Sequence, residues 1–347
     1  MNTNNRLAYL DIAKCIGIIM VVAGHVYKLP DVVCNVIFSV HMPLFFIISG
    51  FCFSIREEER FSAFLKRNAR SLLLPYAITS ALVIIVNVIK CLIKGYDAAA
   101  AFLYWLISAI YGSGSREGIL ETLNLDAGAI GVIWFLLALF VGRITFYFVV
   151  RSKSPWLWAL IALFVGCASA VWVWLPFSIQ PGICSVFFLY IGYAIKSASL
   201  FDKGKIHWAL RAVMAVVWLY SIIRCGGMYL VECYFPDGFF NIIGAVCGTF
   251  TIVFISQLIE KYAGFLKRPM ASAGRMSLGI MCAHLIVLDC WPRARLLYWT
   301  YKQLGRGYVW IADLVNVFLA TALISALLFF IPKLNLCFFP DKIKRKL

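Results

Sequence analysis

Three ionisable residues interrupt the apolar stretch from Tyr9 to Val26: Asp11, Lys14 and His25. Eleven residues separate Lys14 from His25, and eleven helical steps of about 100° return to within about 20° of three full turns. A helix therefore places both side chains on one stripe, about 16 Å apart along its axis, roughly half the depth of a bilayer's hydrocarbon. Imidazole titrates near neutrality, which suits a general base acting on a hydroxyl. Asp11, three residues before Lys14, is spaced to hold it by an ion pair. Two more histidines, His41 and His284, and one serine, Ser49, fall inside apolar stretches and join the candidate catalytic set. Each also fits a plainer role as a polar side chain bonding between helices. A second basic group, Lys66, Arg67 and Arg70, lies on an amphipathic segment. Arg67 and Arg70 are helix neighbours, and the cluster suits either phosphate oxygens or anionic lipid headgroups.

The elements that must position these residues are membrane helices. The 347-residue chain is 63% apolar and 14% charged, with a mean hydropathy of +0.89. Soluble domains carry about 25% charged residues, so the composition excludes that class. Long apolar runs with short polar breaks indicate helical spans and not the alternating strands of a barrel. The expected fold is an all-α integral membrane protein forming a single domain. About ten transmembrane helices are expected, near residues 7–27, 33–55, 75–94, 130–150, 156–175, 181–195, 208–230, 239–259, 275–292 and 309–332. Residues 95–129 form a long outer loop whose 98–111 portion is apolar but too short to cross, and 333–347 form a basic tail. No internal repeat is visible.

Charge sets the orientation. With the amino terminus inside, the inner segments hold 20 Lys/Arg and the outer segments 7, the other five lying within spans. That asymmetry places both termini in the cytoplasm and the protein in the inner, plasma membrane, with lipid and not nucleic acid as the partner of its +16 charge. The first apolar stretch lacks a cleavage site and carries charge, unlike a removable signal. Twelve cysteines show no C-x-x-C pair and no histidine at ligand spacing, so no metal is expected. Cys225 and Cys233, near one outer helix end, are the candidate disulfide pair.

Several local patterns then coincide with one family. Tyr9-Leu-Asp-Ile-Ala-Lys14 followed by Gly24-His25, the string Ser49-Gly-Phe-Cys-Phe-Ser54, Arg67-x-x-Arg70 before Pro75-Tyr76, and Gly274-Arg-x-Ser-Leu leading to His284 resemble integral-membrane acyltransferase family three. His41-Met-Pro-Leu-Phe-Phe and Trp134-Phe-Leu136 are similar to its sugar O-acetyltransferase branch, including fucose 4-O-acetylase-like proteins. Lys14 stands where many members have Arg, Met276 where Asn is usual and Met281 where Tyr is common. The resemblance implies transfer of an acyl group, acetyl from acetyl-CoA, to a hydroxyl of a surface glycan or lipid-linked sugar. It implies His25 as general base and Lys66, Arg67, Arg70 and Lys14 as holders of the donor's phosphates. Ser49 or His41 would serve the oxyanion. The competing expectation is a transporter or flippase that moves glycan or acyl groups without chemistry.

Overall fold

A computed structural model describes residues 7–55, 59–115, 127–202 and 204–338. It is 80% helical, and no strand occurs among the described residues. Among the described residues, eight helices are long and apolar enough to cross a membrane, or nine if a bent pair is one span. The protein is an all-α membrane protein. Its outward faces are apolar as lipid requires, and α7 (Pro155–Trp172) exposes tryptophans toward both ends, Trp156 and Trp158 at one and Trp172 at the other.

The central element is α1 (Ala8–Gly24), 17 residues long and touched by six other helices among the described residues. It is followed by α2 (Asp31–Phe38) and α3 (His41–Phe51), which together form one crossing broken at Ser39 and Val40. The break follows from Pro43: its ring is tolerated in the first turn of α3, where no N–H is needed, but obstructs the carbonyl four residues earlier, Ser39. Ser39 then makes other bonds. Its hydroxyl donates to Val36 O at 2.8 Å and accepts from the Trp218 indole at 2.9 Å.

Next comes α4 (Phe61–Lys94), 34 residues and about 51 Å long. The sequence places an inner amphipathic segment before a span at 75–94. The two are one continuous helix, because Pro75 removes only one donor, the partner of the Ser71 carbonyl. The short apolar stretch is α5 (Ala98–Tyr111), capped by the Asp97 carboxylate on two backbone N–H groups. It packs on α4, where Tyr76 donates to the Ala109 carbonyl at 2.6 Å. The remainder of the expected outer loop at 116–126, the tail at 339–347 and the first six residues lie outside the described residues.

A 3₁₀ turn (Gly131–Ile133) leads into α6 (Trp134–Val149), then α7 and α8 (Ile179–Ser197). Helix α8 locks against α3 backbone to backbone. A Cβ on Gly192 would lie 1.9 Å from the Ile47 oxygen, and one on Gly50 2.0 Å from the Leu189 oxygen. Such contacts replace the hydrophobic effect as the packing force in lipid. Helix α9 (Trp208–Cys225) stops five residues before the expected end of its span, because Gly226 takes φ +65° and turns the chain. Residues 228–231 fold back beneath it, and Met228 N–H donates to the Phe38 carbonyl at 3.2 Å. The last elements are α10 (Phe239–Tyr262), the pair α11 (Gly264–Arg275) and α12 (Ser277–Cys290), then α13 (Ala294–Leu304), α14 (Val309–Phe330) and α15 (Pro332–Phe338). The expected span at 275–292 is thus the second limb of a helix bent by 68° at Met276.

Candidate functional site

A cavity of about 530 Å³ runs beside α1. Lys14 lines it at one end and His25 at the other, joined by Ile18 and Val21 on the same helix stripe. Three elements complete its wall: α3 through His41, Met42, Phe45, Ile48 and Ser49; α6 through Trp134, Phe135, Leu136, Leu139 and Arg143; and the bent pair through Gly274, Arg275, Ser277, Leu278 and Met281. The turned-back residues 228–231 and Gly114 close the His25 end.

The Lys14 end is cationic. Asp11, buried at 2% exposure, pairs with Lys14 at 3.5 Å and with Arg275 at 3.9 Å. Arg275 reaches Asp11 because Gly274 lets α11 approach α1 closely: a Cβ on Gly274 would lie 1.7 Å from the Asp11 carbonyl oxygen. Arg143 adds a third cation. Its guanidinium stands 5.9 Å from the Phe53 ring centroid, and its Nε is buried with no hydrogen-bond partner among the described residues. Lys14 and Arg275 sharing one carboxylate, with Arg143 beside them and its Nε unpartnered among the described residues, leave unspent donor capacity, an arrangement suited to an anion with several oxygens.

The His25 end is built from imidazoles with fixed tautomers. His25 caps the end of α1, and its Nδ1 lies 2.7 Å from the Val21 carbonyl. A carbonyl only accepts, so Nδ1 carries the proton and neutral His25 presents the Nε2 lone pair. His41 repeats the pattern with Nδ1 at 2.7 Å from the Ile37 carbonyl and its ring edge-on to Phe38. His284 is wholly buried behind His25, with ring centroids 5.3 Å apart. Its Nδ1 meets the Thr321 hydroxyl at 3.3 Å, and its Nε2 has no partner among the described residues. It does not line the cavity.

The family profile for an acyltransferase domain, that of acyltransferase family 3, matches residues 7–330. The chain belongs to that family. It is a membrane acyltransferase. No curated protein and no solved structure matches it.

Within the acyltransferase, the sequence-derived candidates separate into groups. Lys14, His25, His41 and Ser49 share the cavity, and Asp11 holds Lys14 from behind. The second basic group stands outside it: Lys66 and Arg70 are exposed, and Arg67 is engaged bidentately by Glu59 at 2.8 and 3.0 Å. Arg143 and Arg275 occupy the cavity instead. Their charges within or beside apolar spans were the available signal, but no spacing relates either residue to Lys14. Cys225 and Cys233 are both free, and the thiol within reach of Cys167 is Cys184, at 3.7 Å.

Proposed function

We propose that this acyltransferase moves an acetyl group from acetyl-CoA to a hydroxyl of a sugar, on a surface glycan or a lipid-linked precursor. The cation-lined end of the cavity faces the cytoplasm and takes the donor's phosphates on Lys14, Arg275 and Arg143. From there the donor's pantetheine arm follows the Ile18 and Val21 stripe toward His25, a helical distance of about 16 Å. The observation that carries the reading is that one continuous cavity joins Lys14 to His25.

The reaction needs one proton carrier. The Nε2 of His25 takes the proton of the acceptor hydroxyl as its oxygen attacks the thioester carbonyl. The tetrahedral intermediate collapses by breaking the carbon–sulfur bond, and the departing thiolate recovers that proton from His25. The products are the O-acetyl sugar and free CoA thiol. For the oxyanion, neither candidate side chain serves at the His25 end: His41 has committed its Nδ1 proton to Ile37 and offers only a lone pair, and Ser49 lies eight residues, about 12 Å, further along α3 toward the Lys14 end. Lys66, Arg67 and Arg70 act outside the cavity, the exposed pair at the lipid or solvent surface and Arg67 as a strut for Glu59.

The experiment is donor turnover. Purified protein given acetyl-CoA and a panel of sugars releases free thiol in step with O-acetyl product. Sugar crossing sealed vesicles with no thioester consumed would instead restore the transport reading.

A further inference from the structure

The His25 ring bonds back to Val21 of α1, but the His25 backbone lies beyond the helix. The last residue of α1 is Gly24, and His25 has already left helical geometry at φ −104° and ψ 11°. The chain then reverses into α2 within six residues, through Lys28 at φ +56°, a left-handed conformation that disfavours a side chain. A base on such a turn keeps its place only if other elements hold the backbone.

Two residues nearly 300 positions later do so. Asp313, on the first turns of α14 and fully buried, accepts from the Tyr27 backbone N–H at 2.7 Å through Oδ2. The same oxygen takes Arg293 Nη1 at 3.2 Å, and that nitrogen also reaches the His25 carbonyl at 3.5 Å. The carbonyl of His25 and the amide of Tyr27 are thus bracketed by one guanidinium and one carboxylate. Trp310 and Leu314, flanking Asp313 on α14, pack against the small cluster formed by Val26, Leu29 and Ile37. Neither Arg293 nor Asp313 lines the cavity.

We propose that Arg293 and Asp313 form a clamp that sets the position of His25 in the cavity, and that both are positioning residues for the transfer reaction. The geometry stands by itself, while the consequence for turnover rests on His25 being the base. A displacement of about 1 Å at a reacting group costs on the order of 100-fold in rate, so a loosened turn disables chemistry without touching the donor site.

The test uses Asp313→Asn, Arg293→Gln and the double variant, which removes both charges and strands neither. Diethyl pyrocarbonate labels the histidines of the detergent-purified full chain, and mass spectrometry resolves each one. His207, exposed and remote, serves as the internal reference. The clamp predicts His25 labelling at least fivefold faster in the double variant, with His207 unchanged. It also predicts kcat at least tenfold lower, donor KM within twofold of wild type, and Arg295→Gln as wild type in both assays. His25 labelling at or below the wild-type rate in the double variant, or an unchanged kcat, overturns the clamp. A wild-type protein with no transferase turnover refutes the proposed activity alone, because the labelling rates still decide the clamp.

Discussion

Replacing Arg143 with methionine separates function from stability, because the two change in opposite directions. Arg143 is a cation whose Nε is buried without a partner, compensated by one aromatic ring at 5.9 Å. A buried donor left unsatisfied costs about 1–3 kcal/mol, more for charged groups, and a cation–π contact returns about 0.5–2 kcal/mol. Methionine keeps the length and apolar contact of the side chain while removing the buried charge. Arg143→Met therefore stabilises the donor-free protein by about 1 kcal/mol. The donor loses one charge-assisted hydrogen bond worth about 1.5–3 kcal/mol, which lowers affinity by about 10- to 150-fold. Thermal unfolding in detergent, followed with a thiol-reactive fluorophore on the buried cysteines, reads the first effect, and equilibrium binding of CoA reads the second. A variant that melts earlier than wild type and binds CoA equally well would refute the reasoning and make Arg143 a structural strut.

Two further substitutions test the cavity's cationic end and the basic group outside it. Gly274→Ala puts a methyl group 1.7 Å from the Asp11 carbonyl, against backbone that cannot swing aside; α11 must retreat by about 1 Å, taking Arg275 from Asp11 and lowering turnover about 100-fold, with an overpacking cost of about 1–3 kcal/mol visible in the melt. Arg67→Gln removes the bidentate partner of Glu59, whose side chain is only 6% exposed. It lowers stability by about 1–2 kcal/mol and leaves CoA affinity within twofold, and Glu59→Gln added to it restores the melting midpoint.

That Lys14 and His25 face one cavity was legible because Lys14 lies in α1 and His25 is the residue just past its end, where spacing still converts to direction. The membrane class and the apolar spans were legible for a similar reason: each is a property of consecutive residues. What pairs across helices was not. Arg143 reads in sequence as a charge within a span, and only the packing of α6 on the cavity turns it inward. Arg67 and Arg70 carry an attractive local pattern, yet Glu59, eight residues earlier and across a break, claims Arg67. Asp313 is one polar residue near the start of an apolar run, and its partners Tyr27 and Arg293 are distant in the chain. Helix ends were partly hidden for backbone reasons. Gly226 ends α9 by taking a left-handed φ, whereas Pro75, a strong breaker in water, sits inside α4, where a membrane helix tolerates the loss of one donor.

The central claim is that His25 is the base in a cavity whose far end holds the donor. The most direct measurement is thiol release from acetyl-CoA by purified wild-type and His25→Ala protein in the presence of acceptor sugar, alongside CoA binding to both. With His25 as the base, His25→Ala binds CoA within twofold of wild type and loses at least 100-fold in transfer. Transfer at the wild-type rate by His25→Ala would contradict it.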